Sequence, residues 1–168
     1  MSPRRPRRTG PFYLYLGFAL LAGLHFYVRP RLWDSRAAPD FLLLALMLVA
    51  IRARPGIAAL AGFIVGLVND VLTPASFGAA ALAHTVVGYL ASWGRAVFFP
   101  DNLLVNAGLF AGGVLLRNAL VLVVSGTPAG QLWSALLIWA PLQALTTATA
   151  GTLILLLFRN WFAIRIEA

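Results

Sequence analysis

The sequence has no cysteine and no lysine, and only five of its 168 residues are acidic. Without cysteine a disulfide framework, a thiol nucleophile and every thiolate metal site are excluded. Charged residues make up 11% of the chain, against roughly a quarter in soluble domains. Long polar stretches are missing too, so little is left from which to build a globular domain beside the apolar runs. Apolar residues instead fill 61% of the chain, and the mean hydropathy is +0.86. This composition describes a protein whose solvent is lipid, an all-α integral membrane protein in which function resides in the helical bundle, its short loops or a partner. The net charge of +8 does not imply nucleic-acid binding, because the arginines are scattered singly and no soluble module presents them.

Six apolar runs are separated by proline-containing breaks: Phe12 to Val28, Ala37 to Ile51, Gly56 to Leu72, Phe77 to Trp93, Leu103 to Val124 and Leu132 to Phe158. At about 1.5 Å per residue a 17-residue run reaches ~25 Å, near the lower limit for spanning, and the second run is shorter still. The expected fold is therefore a single bundle of six transmembrane helices, or five if residues 37–51 do not cross. A basic tail (residues 1–11) precedes the bundle (residues 12–158), and a short tail (residues 159–168) follows it. The basic start followed by an apolar run resembles a signal peptide, but no small-residue cleavage site follows, so the run reads as an uncleaved first helix.

Arginine sets the orientation, because basic residues near segment ends stay cytoplasmic. With the N-terminus inside, Arg4, Arg5, Arg7, Arg8, Arg52, Arg54, Arg95, Arg159 and Arg165 lie on the cytoplasmic side and Arg29, Arg31 and Arg36 on the other. The exception is this first external loop, where Asp34 and Asp40 accompany the arginines. Trp33, Trp93, Trp133 and Trp161 fall near the expected interfaces, where amphipathic indoles settle. Both termini are expected inside.

Helices in lipid associate through small residues and buried polar groups. Stripes at helical spacing predict the inward faces: Gly17, Leu21 and His25; Gly62, Gly66, Asn69, Asp70 and Thr73; Ala81, His84, Thr85, Gly88 and Ser92; Asn106, Gly113 and Arg117; Gln143, Thr147, Ala150 and Gly151. Gly62, Gly66, Gly88, Gly108 and Gly112 are candidates for close helix packing or a partner face. A charge at a helix centre costs about 2.5–3.5 kcal/mol even on the lenient insertion scale. Asp70, His84 and Arg117 share the outer half of the expected bundle, with Gln143 nearby, and Arg117 is expected to reach Asp70. Three readings of this cluster stay open: a structural ion pair, a polar site for a small molecule or partner, and a proton relay. His25 is expected at the outer interface.

Catalytic patterns do not occur. There is no H-E-x-x-H helix, no G-x-S-x-G elbow, no glycine loop followed by lysine and no D-G-x-x-A-R head-group transfer pattern. Paired aspartates at matching depth, which an intramembrane aspartyl protease needs, are not expected, since Asp70 is the one carboxylate placed inside a span. The two histidines and Asp70 come from different helices without ligand spacing, so neither a metal nor a cofactor is expected.

The order Pro39-Asp40, a short apolar helix ending in Arg52 and Arg54, then Gly62-Phe63-Ile64-Val65-Gly66-Leu67-Val68-Asn69-Asp70, Phe77-Gly78 and Gly88-Tyr89-Leu90 resembles the bacterial rod shape-determining MreD family. The resemblance runs by motif over residues 39–90 and by layout elsewhere; the three arginines of the first external loop are no part of it. It implies a non-enzymatic subunit of the cell-elongation machinery in the bacterial inner membrane. It further implies binding to the single-span protein MreC and, through it, to the MreB filament and the peptidoglycan synthases. The bundle of that family is similar to the substrate-binding S component of energy-coupling-factor transporters, which supplies the alternative of a vitamin- or micronutrient-binding membrane subunit.

Overall fold

The computed structural model describes residues 11–32, 36–97 and 103–157, and every regular element among them is helical. The basic N-terminal tail, Trp33 and Asp34, the break at Phe99-Pro100-Asp101, the Arg95 side chain, and the C-terminal tail with Trp161 lie outside the described residues.

Helix α1 begins at Pro11–Gly23 and continues through a π turn, Leu24–Val28, and a 3-10 turn, Arg29–Arg31. Helix α2 is Phe41–Ala50, α3 is Pro55–Asp70, α4 is Ala79–Val97 and α5 is Leu103–Val124. Helix α6 is Ala129–Leu157, with a π turn at Ala135–Trp139. Both π turns stand two residues before a proline inside the helical run, Pro30 and Pro141. A proline ring clashes with the carbonyl four residues back and cannot donate to it. Those carbonyls belong to Phe26 and Leu137, inside the widened turns, and the widening makes room for the ring.

Helices α5 and α6 are long and apolar enough to cross a membrane. The second run is helical only over Phe41–Ala50, not from Ala37 as its apolarity suggests. Asp40 accounts for this: its side chain accepts the Leu43 N–H at 3.1 Å and caps the helix, leaving residues 37–40 as a non-helical strap. Ten residues make a helix only ~15 Å long. Helix α2 is nevertheless the centre of the molecule. Leu42 through Leu48 are all buried, and from Leu43 onward they share one core with Leu21 of α1, Ala58 of α3, Val87 and Ala91 of α4, Phe110 and Val114 of α5, and Leu155 of α6.

The closest pairing is the α3–α4 hairpin. Cβ atoms built on Gly62 and Gly66 would strike the backbone of His84 and of Ala80–Ala81, and one built on Gly88 would strike the carbonyl of Ala58. Glycine here lets two antiparallel backbones touch. Gly108 and Gly112, the other two candidates for close packing, have nothing within 4 Å of a built Cβ and lie on an open face of α5. The stripes mark the interior for Leu21, His25, Gly62, Gly66, Asp70, Ala81, His84, Gly88, Ser92, Asn106, Gly113, Gln143, Thr147 and Gly151, which are buried, while Gly17, Asn69, Thr85, Arg117 and Ala150 are half-buried and Thr73, past the end of α3, is exposed.

Candidate functional site: a buried polar centre and a basic pocket

The polar centre is built around Asp40, which is 1% exposed. Its backbone N–H donates to Thr147 Oγ1 of α6 at 3.0 Å. His25 of α1 places Nδ1 3.4 Å from Asp40 Oδ1 and 3.3 Å from the Leu42 N–H. Arg117 of α5 brings Nη2 to 3.8 Å from Asp40 Oδ2. One residue thus ties three helices to the start of α2, its carboxylate facing α1 and α5 and its backbone N–H bonded to α6. The strap before it is held the same way, with Thr146 Oγ1 donating to the Ala37 carbonyl and Gln143 Nε2 to that of Ala38.

This corrects the expected pairing of Arg117 with Asp70. Asp70 is fully buried at the end of α3, where it accepts from the N–H groups of Gly78, Ala80 and Ala81 at 3.0, 3.0 and 2.8 Å. Its negative charge sits on the N-terminus of α4, whose free N–H groups and dipole favour an anion. Arg117 turns instead to Asp40, an acid that its arginine-rich surroundings in the sequence place in the external loop. Asp70 is accordingly not the one buried carboxylate. His25, expected at the interface, is 4% exposed and belongs to this centre. The signal for Asp40 was in the sequence, since Pro39-Asp40 before an apolar run is a helix-start pattern.

His84 and Gln143 are buried as expected but play different parts. His84 Nδ1 lies 2.8 Å from the Ala80 carbonyl one turn back, and its Nε2 is buried without a hydrogen-bond partner. Gln143 ends a chain of side chains: Arg117 Nη1 donates to Asn118 Oδ1, and Asn118 Nδ2 donates to Gln143 Oε1, each at 2.7 Å. Arg117 and Gln143 are thus joined through Asn118, whereas Asp70 stands apart on its own cap.

Arg117 also lines a pocket of about 560 Å³ between the end of α1, the C-terminal half of α5 and the first turns of α6. Arg29 and Arg36 line it too, and the Arg36 guanidinium stacks over Trp139 at 5.1 Å from the ring centre. Both π turns adjoin this pocket: the first ends at Val28, next to Arg29, and the second at Trp139. A separate, apolar groove runs between α4 and α5, floored by Met47 and edged by Gly108 and Gly112. Among the described residues no three histidine, aspartate or glutamate side chains gather as metal ligands.

The described residues form an all-helical bundle that buries several polar side chains and exposes many large apolar ones. Residues 6–161 match the family of the rod shape-determining protein MreD, and the chain belongs to that family. Comparison with curated proteins and with solved structures yields no match.

Proposed function

We propose that this protein is a non-enzymatic subunit of the bacterial cell-elongation machinery, embedded in the inner membrane with both termini cytoplasmic. The observation that carries the reading is the family match over residues 6–161. Polarity supports the membrane setting: Asp40, Asp70, His84 and Thr147 are buried, while Leu104, Leu137 and Leu157 are 80%, 69% and 76% exposed. Such an inversion is stable where the surrounding solvent is apolar. Helix α2 is too short to cross lipid unaided, and its sheath of neighbouring helices removes the need.

Function in this reading is binding. A partner's single transmembrane helix, of the MreC kind, docks in the groove between α4 and α5, where Gly108 and Gly112 let a backbone approach. Through that partner the protein joins a cytoplasmic MreB filament to peptidoglycan synthases on the outer side. A tagged copy is expected to hold an MreC-like protein through detergent extraction, and depletion in a rod-shaped host to give round cells. Gly108→Leu with Gly112→Leu should release the partner while leaving the protein folded. Depleted cells that stay rod-shaped and lose uptake of a micronutrient would favour the transporter-subunit alternative instead.

A further inference from the structure

Burial along α5 and α6 stops at one depth. Helix α5 buries Asn106, Phe110, Gly113 and Val114, and α6 buries Ala140 and then Gln143, Thr147 and Gly151 at helical spacing. Between Leu115 and Trp139 no residue is buried. The inward stripes do continue past that depth, as Arg117 and Val121 on α5 and as Gln131, Ala135 and Trp139 on α6. These residues line the pocket of about 560 Å³, and none of them is buried. Where the packing stops, the backbone of α6 weakens too. Across the π turn Ala135–Trp139 the Ala140 N–H donates to the Ala135 carbonyl five residues back, and Pro141 has no N–H to offer Leu137. Helices bend at such turns and at proline. The other end of the segment is the turn after α5, where Gly126 takes a φ of 66°. Residues 129–139 are thus a short helical length between two backbone irregularities, with no buried side chain to fix it.

We propose that residues 129–139 are a flap that rocks on this π turn and so opens and closes the pocket over the chain of Arg117, Asn118 and Gln143. Segments with few buried contacts open at little cost, and hinges are a few residues that absorb the backbone change. On the far side of the hinge Gln143, Thr146 and Thr147 hold the strap at residues 37–40, so the flap moves while the polar centre stays assembled. The Arg36 guanidinium, stacked over Trp139 at the last residue of the π turn, ties the hinge to the chain that leads into the strap. The inference goes beyond the assembly role and stands on the packing and backbone of α6.

The test uses the full chain in lipid nanodiscs. Spin labels on pairs of introduced cysteines report distances by double electron–electron resonance, and the chain has no cysteine of its own to interfere. One pair joins Val71→Cys, at the end of α3, to Trp133→Cys in the flap; the control pair joins Val71→Cys to Leu145→Cys, beyond the hinge. All three positions are exposed, so the labels disturb no packing. The flap pair is expected to give a broad or two-peaked distribution and the control pair a single narrow peak. Pro141→Ala, also at an exposed position, restores an N–H for the Leu137 carbonyl. It should merge the flap distances into one narrow peak and slow amide exchange over residues 129–139 about tenfold, with exchange over residues 142–157 unchanged. Elution as a single species on gel filtration verifies that the variant folds. Equally narrow distributions for both pairs in the otherwise unaltered chain, or exchange over residues 129–139 that Pro141→Ala changes by less than about twofold, would overturn the flap.

Discussion

Arg117 in α5 approaches Asp40 at the start of α2, Nη2 to Oδ2 at 3.8 Å, and so joins the two ends of the polar centre. The distance is long for an ion pair, and both partners are shielded from water, so each depends on the other to offset its burial.

Removing one partner leaves the other uncompensated. Arg117→Gln or Asp40→Asn alone is expected to lower stability by about 3–5 kcal/mol, and the double variant by less than the sum. Asparagine preserves the helix cap, so the Asp40 variant isolates the charge from the capping role. Thermal unfolding in detergent measures all four corners of the cycle. Strict additivity would show that the contact contributes nothing.

Asp70 gives the opposite result. Its partners are three backbone N–H groups of the turn into α4, so Asp70→Ala orphans them together. A buried donor left unmade costs about 1–3 kcal/mol, and the start of α4 should loosen first, visible as faster amide exchange at Gly78, Ala80 and Ala81. Combined with Arg117→Gln, the two losses should add within about 0.5 kcal/mol, because the residues share no partner.

Glycine substitutions separate internal packing from an outer face. At Gly62, Gly66 and Gly88 an added methyl meets the backbone of the neighbouring helix, and alanine is expected to lower stability by about 1–3 kcal/mol. At Gly108 and Gly112 it meets nothing, and alanine should raise stability by about 0.5–1 kcal/mol through helix preference alone. A loss of stability at Gly108 would mean that the α5 face is closed rather than open.

The inward faces were legible because burial follows helical period: Gly62, Gly66 and Asp70 recur on one side of α3, and Gln143, Thr147 and Gly151 on one side of α6. Pairings across helices were not. Depth in the bundle allowed Arg117 to meet Asp70, and only the turn after α3, which folds the N–H groups of Gly78, Ala80 and Ala81 back over Asp70, decides that this carboxylate is already occupied. Asp40 was hidden for a related reason. An acid among arginines in a loop reads as exposed until the strap at residues 37–40 is drawn inward by Gln143, Thr146 and Thr147, which lie more than 100 positions away. Gly108 and Gly112 carry the spacing of a close-packing pair, but spacing does not say whether the second helix comes from the same chain.

Orientation follows from the sidedness of arginine and is open to a direct check, because the chain has no cysteine and single cysteines are clean probes. Ala75 lies exposed in the turn between α3 and α4, and Arg54 lies exposed between α2 and α3, so the two positions stand at opposite ends of α3. If arginine-rich ends are retained in the cytoplasm, Ala75→Cys should react with a membrane-impermeant maleimide added to spheroplasts, and Arg54→Cys should react only after the membrane is opened. Removing one arginine at residue 54 leaves Arg52 beside it and seven others on the same side, too small a change to invert the protein. The basic pocket shares the side of Ala75, since α1 and α5 both end there with α3 between them in the alternation. Labelling of Ala75→Cys from outside would therefore place Arg29, Arg36 and Arg117 toward the outer leaflet, and the reverse pattern would turn the pocket toward the cytoplasm.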